Sequence, residues 1–437
     1  MRLPFGFHHR ALRLWLSPEA WRRRLVFWGG GLTVGIAAVA LAVAADYVQL
    51  WFSEAVGHWP YLSLAATPAG LGLSVALMHR YFPGSQGSGI PQAIAARQIA
   101  DPAARRRLLS LRIAFGKILL TLLALLVGAS AGREGPTVQV GASIMHEVGA
   151  FWGGKHRGLV LAGSAAGVAA AFHTPLAGIV FAIEEMSRSF EQRTSGLVLT
   201  AVIVAGVASL ALLGNYTYFG ETAAFLHSAK DWAAVPLCGI LGGVLGGVFS
   251  RIVVAVQRGL PGRAGVLIAR HPVAFATLCG LAVAVIGVVS GSLTYGTGYA
   301  QAKLLVEGGG PAAQSFGILK MLATTLSTVS GIPGGIFSPS LAVGAGLGAN
   351  VAALLPGSST GAVILLGMVG YFAGVVQAPI TAFVIVLEMT DSHNMAVPLM
   401  MASFIAYGSA RFIGARPIYH ALAEKFLPSP GPAEPPR

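Results

Sequence analysis

The chain has 437 residues, of which 55% are hydrophobic and only 10% charged, with a mean hydropathy of +0.71. Soluble domains carry about 25% charged residues, so this composition excludes a soluble enzyme, a disordered chain and a nucleic-acid binder. The net charge of +13 does not call for a polyanion, because the Lys and Arg gather in a few short connecting stretches, as the positive-inside rule demands of a membrane protein.

In chain order, residues 1–24 come first. Arg2, Arg10, Arg13, Arg22, Arg23 and Arg24 stand there against Glu19 alone, with Trp15, Leu16 and Trp21 among them. The segment reads as a cytosolic amphipathic helix on the membrane surface. A cleaved signal peptide ending at Ala42-Val43-Ala44 competes, but the 21-residue apolar stretch 25–45 exceeds the usual h-region. Further uncharged stretches cover 55–79, 158–183, 194–220, 232–250, 271–302, 321–387 and 392–410. A span needs about 20 apolar residues. The 67-residue run 321–387 must therefore hold several passes, broken by Pro333, Pro339, Pro356 and Pro379. A bilayer tolerates such breaks only where protein or a water-filled cavity covers the freed backbone groups. The 58 glycines suit helices that approach closely where lipid supplies no hydrophobic drive. The expected fold is an all-α polytopic membrane bundle of tilted and broken transmembrane helices. The basic stretches 97–112, 188–193 and 251–270 are placed in the cytosol, as are both termini. No soluble domain is expected after the last span, and Cys238 and Cys279, both in apolar runs, suggest neither a disulfide framework nor a metal site.

An internal repeat is visible. Shifted by 203 positions, residues 117–142 lie over 320–345 with ten of 26 positions identical, including Lys117/Lys320, Gly132/Gly335 and Pro136/Pro339. Aligned Lys and Pro in a chain so poor in charge argue against chance. At an offset of 204, Pro175 falls on Pro379 and Glu184 on Glu388; at 209, Gly87-Ser88-Gly89 falls on Gly296-Thr297-Gly298. This divides the membrane part into residues 25–220 and 221–415, leaving a short cytosolic tail, 416–437. Repeated halves with Gly/Pro-interrupted helices are the mark of a transporter with a midplane site.

Three breaks could hold an anion: Gly87-Ser88-Gly89-Ile90-Pro91-Gln92, Gly132-Arg133-Glu134-Gly135-Pro136 and Gly334-Gly335-Ile336-Phe337-Ser338-Pro339. Proline is favoured in a helix's first turn, so each should start a helix inside the membrane. Helix N-termini present free N–H groups and partial positive charge. Several converging on one point make an anion site that binds weakly enough to release its ion. Glu134 sits within such a break, where an ionisable residue is costly and functional by default. An apolar setting disfavours the charged form of a carboxyl, so Glu134 could exchange a proton, and its carboxylate could take the anion's place. The plainer alternative is a structural pair with Arg133. Glu184 and Glu185 close an uncharged stretch and could be interfacial caps. Glu184 has a repeat partner in Glu388 and reads as structural; Glu185 faces Met389 in the repeat and is the better functional candidate. Tyr419 could donate from a helix start or belong to an interfacial aromatic belt. His173 reads as a packing histidine. The histidines show no metal spacing, and no cofactor is expected.

Ser88 within GSGIP, Glu134 within GREGP, Glu184-Glu185 within IEEM, Ile336-Phe337 within GGIFSP, and Tyr419 occur in this order. Together they closely resemble the CLC family of chloride channels and chloride/proton exchangers, over nearly the whole chain. The resemblance implies a homodimer in the lipid bilayer, each subunit an inverted-repeat bundle of tilted helices with a separate path for chloride and protons. It implies a central anion held by the hydroxyls of Ser88 and Tyr419 and the amides of Ile336 and Phe337. It makes Glu134 the external gate and Glu185 the internal proton-transfer group, and Glu185 favours an exchanger over a passive voltage-dependent channel. The protein would not be an enzyme, and would sit in an inner or plasma membrane. Gln92 and His173 depart from the usual pattern, at Glu and small-amide positions, and could alter the proton route. No CBS pair is present, so nucleotide regulation of that kind is not expected.

Overall fold

The computed structural model describes residues 17–152, 156–187, 195–214, 217–220, 224–226, 228–308 and 314–427. Residues 2–16 and the basic stretch 188–193 lie outside that set. The described chain is helical, without strands, and seven of its helices are long and apolar enough to cross a membrane. Large apolar side chains such as Leu32, Ile203, Leu278 and Val289 are exposed on them. In water these would be a liability; facing lipid they cost nothing. The chain is a multi-pass membrane protein.

The first helix, Pro18–His58, starts at Ser17, whose side chain caps Ala20 N. It runs unbroken from Pro18 past the basic residues 22–24 into the first apolar stretch. The next apolar stretch is divided: the first helix ends at His58 and a second covers Ser63–Tyr81. The long run 321–387 holds Phe316–Val329, Phe337–Leu354, Thr360–Val376 and Pro379–Thr390, separated at the predicted Pro-containing breaks. Thr360–Val376 is buried from Ala362 to Val376, so the fold has an inner layer that never meets lipid.

The two halves meet as a symmetric pair. Gly132 and Gly335, equivalents at offset 203, exchange N–H to carbonyl bonds of 2.7 Å each, forming one antiparallel bridge. The same symmetry governs helix packing. A Cβ on Gly141 would meet Gly163 O at 2.3 Å, and one on its equivalent Gly344 would meet Gly367 O at 2.5 Å. Any side chain there would force paired helices apart.

Glu184 and Glu388 complete the symmetry. Glu388 accepts from Leu176 N and Ala177 N at 3.1 and 2.8 Å; Glu184 accepts from Ile380 N and Thr381 N at 3.1 and 2.6 Å. Each carboxylate thus caps the helix, Pro175–Phe181 or Pro379–Thr390, that opens the other half's equivalent segment. An anion at a helix N-terminus satisfies free amides and complements the dipole. Glu388→Ala should therefore lower stability by about 1–3 kcal/mol, the cost of hydrogen bonds lost to a charged group. Thermal unfolding in detergent checks this, and Glu184→Ala should give a loss of the same order.

Candidate functional site

All three glycine-rich breaks open helices, as their sequences predict: Ile90–Gln98, Glu134–Trp152 and Phe337–Leu354. Gly89, at φ 100°, sits immediately before the first of them. That left-handed turn is open to glycine and strained for other residues. The breaks converge. Gly334 N donates to Gly87 O at 3.0 Å, and a Cβ on Gly135 would lie 2.3 Å from Ser88 Oγ. The fourth element is the short helix Ile418–Ala423, which carries Tyr419. The Tyr419 ring stacks on Phe337 at 6.1 Å between centroids.

Ser88, Glu134, Ile336, Phe337 and Tyr419 are all buried, and these contacts bring them into one cluster. The Ser88 and Tyr419 hydroxyls are neighbours. Neither meets hydrogen-bond geometry with any described group. Buried hydroxyls are normally satisfied, so two that face each other with no third protein partner fit an anion that would accept from both. Ile336 and Phe337 open their helix, where Ser340 N makes the first return bond, to Ile336 O at 3.1 Å. Amides ahead of that bond have no intrahelical acceptor.

Glu134 lies inside this donor set. Ser338 Oγ donates to its Oε1 in a short bond. Tyr218 donates to the same oxygen at 3.3 Å, and Ser338 N reaches Oε2 at 3.5 Å, the limit of hydrogen-bond range. Arg133 turns away from its neighbour: its Nη1 donates to Ala42 O at 2.5 Å and to Asp46 Oδ1 at 2.6 Å. The alternative of a structural Arg133–Glu134 pair is therefore not what the chain adopts; the guanidinium's partner comes from the first helix.

The loop bearing Ser88 is held from behind. Lys117 Nζ donates to Ser85 O and Gly87 O, both at 2.7 Å. Gln92 Nε2 donates to Gln86 O at 2.5 Å, and Gln139 Nε2 to Gly84 O at 3.0 Å. An ionised carboxylate at position 92 could not donate, which gives a local reason for the amide. Lys320, equivalent to Lys117, holds Thr294 O and Gly296 O at 2.9 and 2.7 Å.

Two cavities are lined by residues that contact the cluster or its neighbours. One, of about 450 Å³, is lined by Asp46, Gln49, Thr297 and Tyr299. The other, of about 720 Å³, is lined by Glu184, Glu185, Arg416, Pro417 and His420, and the last two flank Tyr419. Glu185 is buried in a π-helical turn, Ala182–Ser187. His420 Nε2 lies 2.9 Å from its carbonyl oxygen and 3.5 Å from its Oε1. His173 Nε2 sits 3.1 Å from Ser209 Oγ, in keeping with a packing histidine. Sequence reading did not single out Tyr218, Asp46 or Ser338. Only Ser338 had a local signal, inside the GGIFSP break.

A sequence profile described as "Voltage gated chloride channel" matches residues 70–411. Among solved structures, the chain is similar to a slow cyanobacterial Cl⁻/H⁺ antiporter: TM-score 0.80, 26% identity, covering 94% of this chain and 98% of that one. A CLC-type fluoride/proton antiporter matches at TM-score 0.77 and 21% identity, covering 90% and 96%. A eukaryotic CLC transporter matches at 0.75 and 21%, covering 92% and 74%. The last two share the fold. With the profile match spanning most of the chain and the glycine-rich helix starts gathered at one buried cluster, the protein belongs to the voltage-gated chloride channel, or CLC, family of channels and transporters.

Proposed function

We propose that this protein is a secondary active transporter that exchanges chloride for protons, with Glu134 as the gate of a central anion site. The observation that carries the reading is the place of the Glu134 carboxylate: it accepts from Ser338 at the mouth of the helix Phe337–Leu354, near the hydroxyls of Ser88 and Tyr419. A carboxylate that occupies an anion's donors competes with that anion. Protonation removes its charge and vacates the donors. Chloride then binds the amides of Ile336 and Phe337 and the two hydroxyls, without a fixed cation to hold it too tightly. Glu185, buried beside the other cavity, takes the proton toward the cytosol by a route separate from the anion's. The likeness to a chloride/proton antiporter supports the exchange reading. The protein works as a homodimer in an inner or plasma membrane, with both termini cytosolic.

The family name favours one second reading, a passive chloride channel. Reversal potential under a pH gradient separates the two. For an exchanger it moves with pH; for a channel it stays at the chloride Nernst value. Glu185→Gln in reconstituted vesicles should abolish proton movement while chloride still flows. A pH-independent reversal potential in the native protein would remove the exchange reading.

A further inference from the structure

Tyr218 is buried, and its ring is packed among three aromatic rings and a guanidinium. Phe172, Phe219 and Tyr299 meet it edge-on, with centroids at 5.6, 5.0 and 4.8 Å. The Arg133 guanidinium lies over the ring, 6.0 Å from its centroid. The turn that carries it is pinned by Phe219 N, which donates to Met389 O at 3.0 Å. The phenol oxygen then has two polar neighbours, Glu134 Oε1 at 3.3 Å and Ser338 Oγ at 3.4 Å. Ser338 itself donates to Glu134, so its hydroxyl proton is committed and the phenol's donor falls to the carboxylate. Aromatic packing of this kind fixes a hydroxyl's direction.

We propose that Tyr218 is a positioning residue of the gate: its phenol latches the ionised Glu134 carboxylate among the anion's donors and thereby sets the pH at which the path opens. The proposal rests on the reading of Glu134 as gate. A hydrogen bond to the charged form favours that form, and bonds to ionised groups are the stronger ones. The latch holds a carboxylate, releases a neutral carboxyl more readily, and opposes chloride as a competitor. The charged and titratable groups around the pair are few. Arg133 faces both residues and is balanced by Asp46. Tyr299 packs on the ring and brings Glu307 into range. His173 feels the charge of Arg133, and Tyr419 feels those of Glu185 and Glu134. Among the described residues, only Tyr218 and Ser338 have side chains in hydrogen-bond contact with the Glu134 carboxylate.

Tyr218→Phe keeps the ring and removes only the donor. Chloride flux into reconstituted vesicles, measured across pH, should show a half-maximal point raised by about one unit, a tenfold change in proton affinity. At fixed alkaline pH, chloride should half-saturate at severalfold lower concentration, and proton coupling should persist. Adding Tyr218→Phe to Glu134→Gln should change nothing, because no carboxylate is left to hold. A fluorotyrosine at position 218, a stronger donor of nearly the same shape, should shift the profile the other way and stands in if the Phe variant does not fold. An unshifted profile in folded Tyr218→Phe, or the same shift with Glu134→Gln present, overturns the latch. Failure of the gate itself looks different: Glu134→Gln alone would keep its proton coupling.

Discussion

In Glu134→Gln, proton movement should fall to the level of protein-free vesicles, while chloride continues to flow at a rate that no longer depends on pH. The glutamine is a permanent mimic of the protonated side chain. It can still accept from Tyr218 and Ser338, the groups that now hold the carboxylate, so the local structure has no reason to rearrange. Under the proposed gate, what it lacks is the charge that would compete with chloride and the proton that the carboxylate would carry. The expected readout is a simultaneous record of chloride efflux and external pH. Retained proton pumping would mean that another group carries the proton, and the account of the gate would have to be abandoned.

The second large effect is expected at Lys117. Its ammonium is wholly buried and holds Ser85 O and Gly87 O at 2.7 Å, with Gln86 O at 3.4 Å. Lys117→Met fills much of the space but leaves Ser85 O without a donor, while Gly87 O keeps Gly334 N and Gln86 O keeps Gln92 Nε2. Each buried polar group left without a partner costs about 1–3 kcal/mol, and relief of the ammonium's desolvation offsets part of the sum. A net loss of roughly 1–3 kcal/mol follows, read as a lowered midpoint of thermal unfolding. Because Gly87 precedes Ser88, chloride affinity should fall as well. Lys320→Met provides the contrast. Lys320 makes the equivalent bonds to Thr294 O and Gly296 O, in a loop that lines the cavity with Asp46 and contributes nothing to the anion cluster. It should cost at least as much stability, since Thr294 O and Gly296 O both lose their donor, and leave chloride affinity unchanged. Equal affinity losses in both variants would show that Lys117 acts on the whole fold and has no special hold on the anion loop.

The reciprocal glutamate caps illustrate how far local signals reach. Pro175 and Pro379 mark helix starts because proline suits a first turn, and the offset that aligns them also aligns Glu184 with Glu388. The symmetric exchange of caps between halves is then a consequence of two-fold equivalence. The same holds for the Gly132–Gly335 bridge, whose partners are repeat equivalents. His173 and Gln377, also equivalents at offset 204, share a left-handed φ of 58°, a feature that neither residue type advertises.

Composition, the spacing of uncharged runs, and the Gly/Pro punctuation were enough to determine a polytopic helical membrane protein, its repeat, and the helix starts at Ile90, Glu134 and Phe337. Those features are written in neighbouring residues, because a helix start is a local event: an opened backbone, a proline in the first turn, free amides beyond. Which groups meet at the site was decided by tertiary structure alone. Asp46 takes Arg133 from a helix 87 residues away, and Tyr218 reaches Glu134 across 84. Side chains so distant in sequence are brought into register by helix packing, and no periodicity or motif encodes that meeting. Whether Arg133 would neutralise Glu134 or leave it free depended on where a third element placed a competing carboxylate.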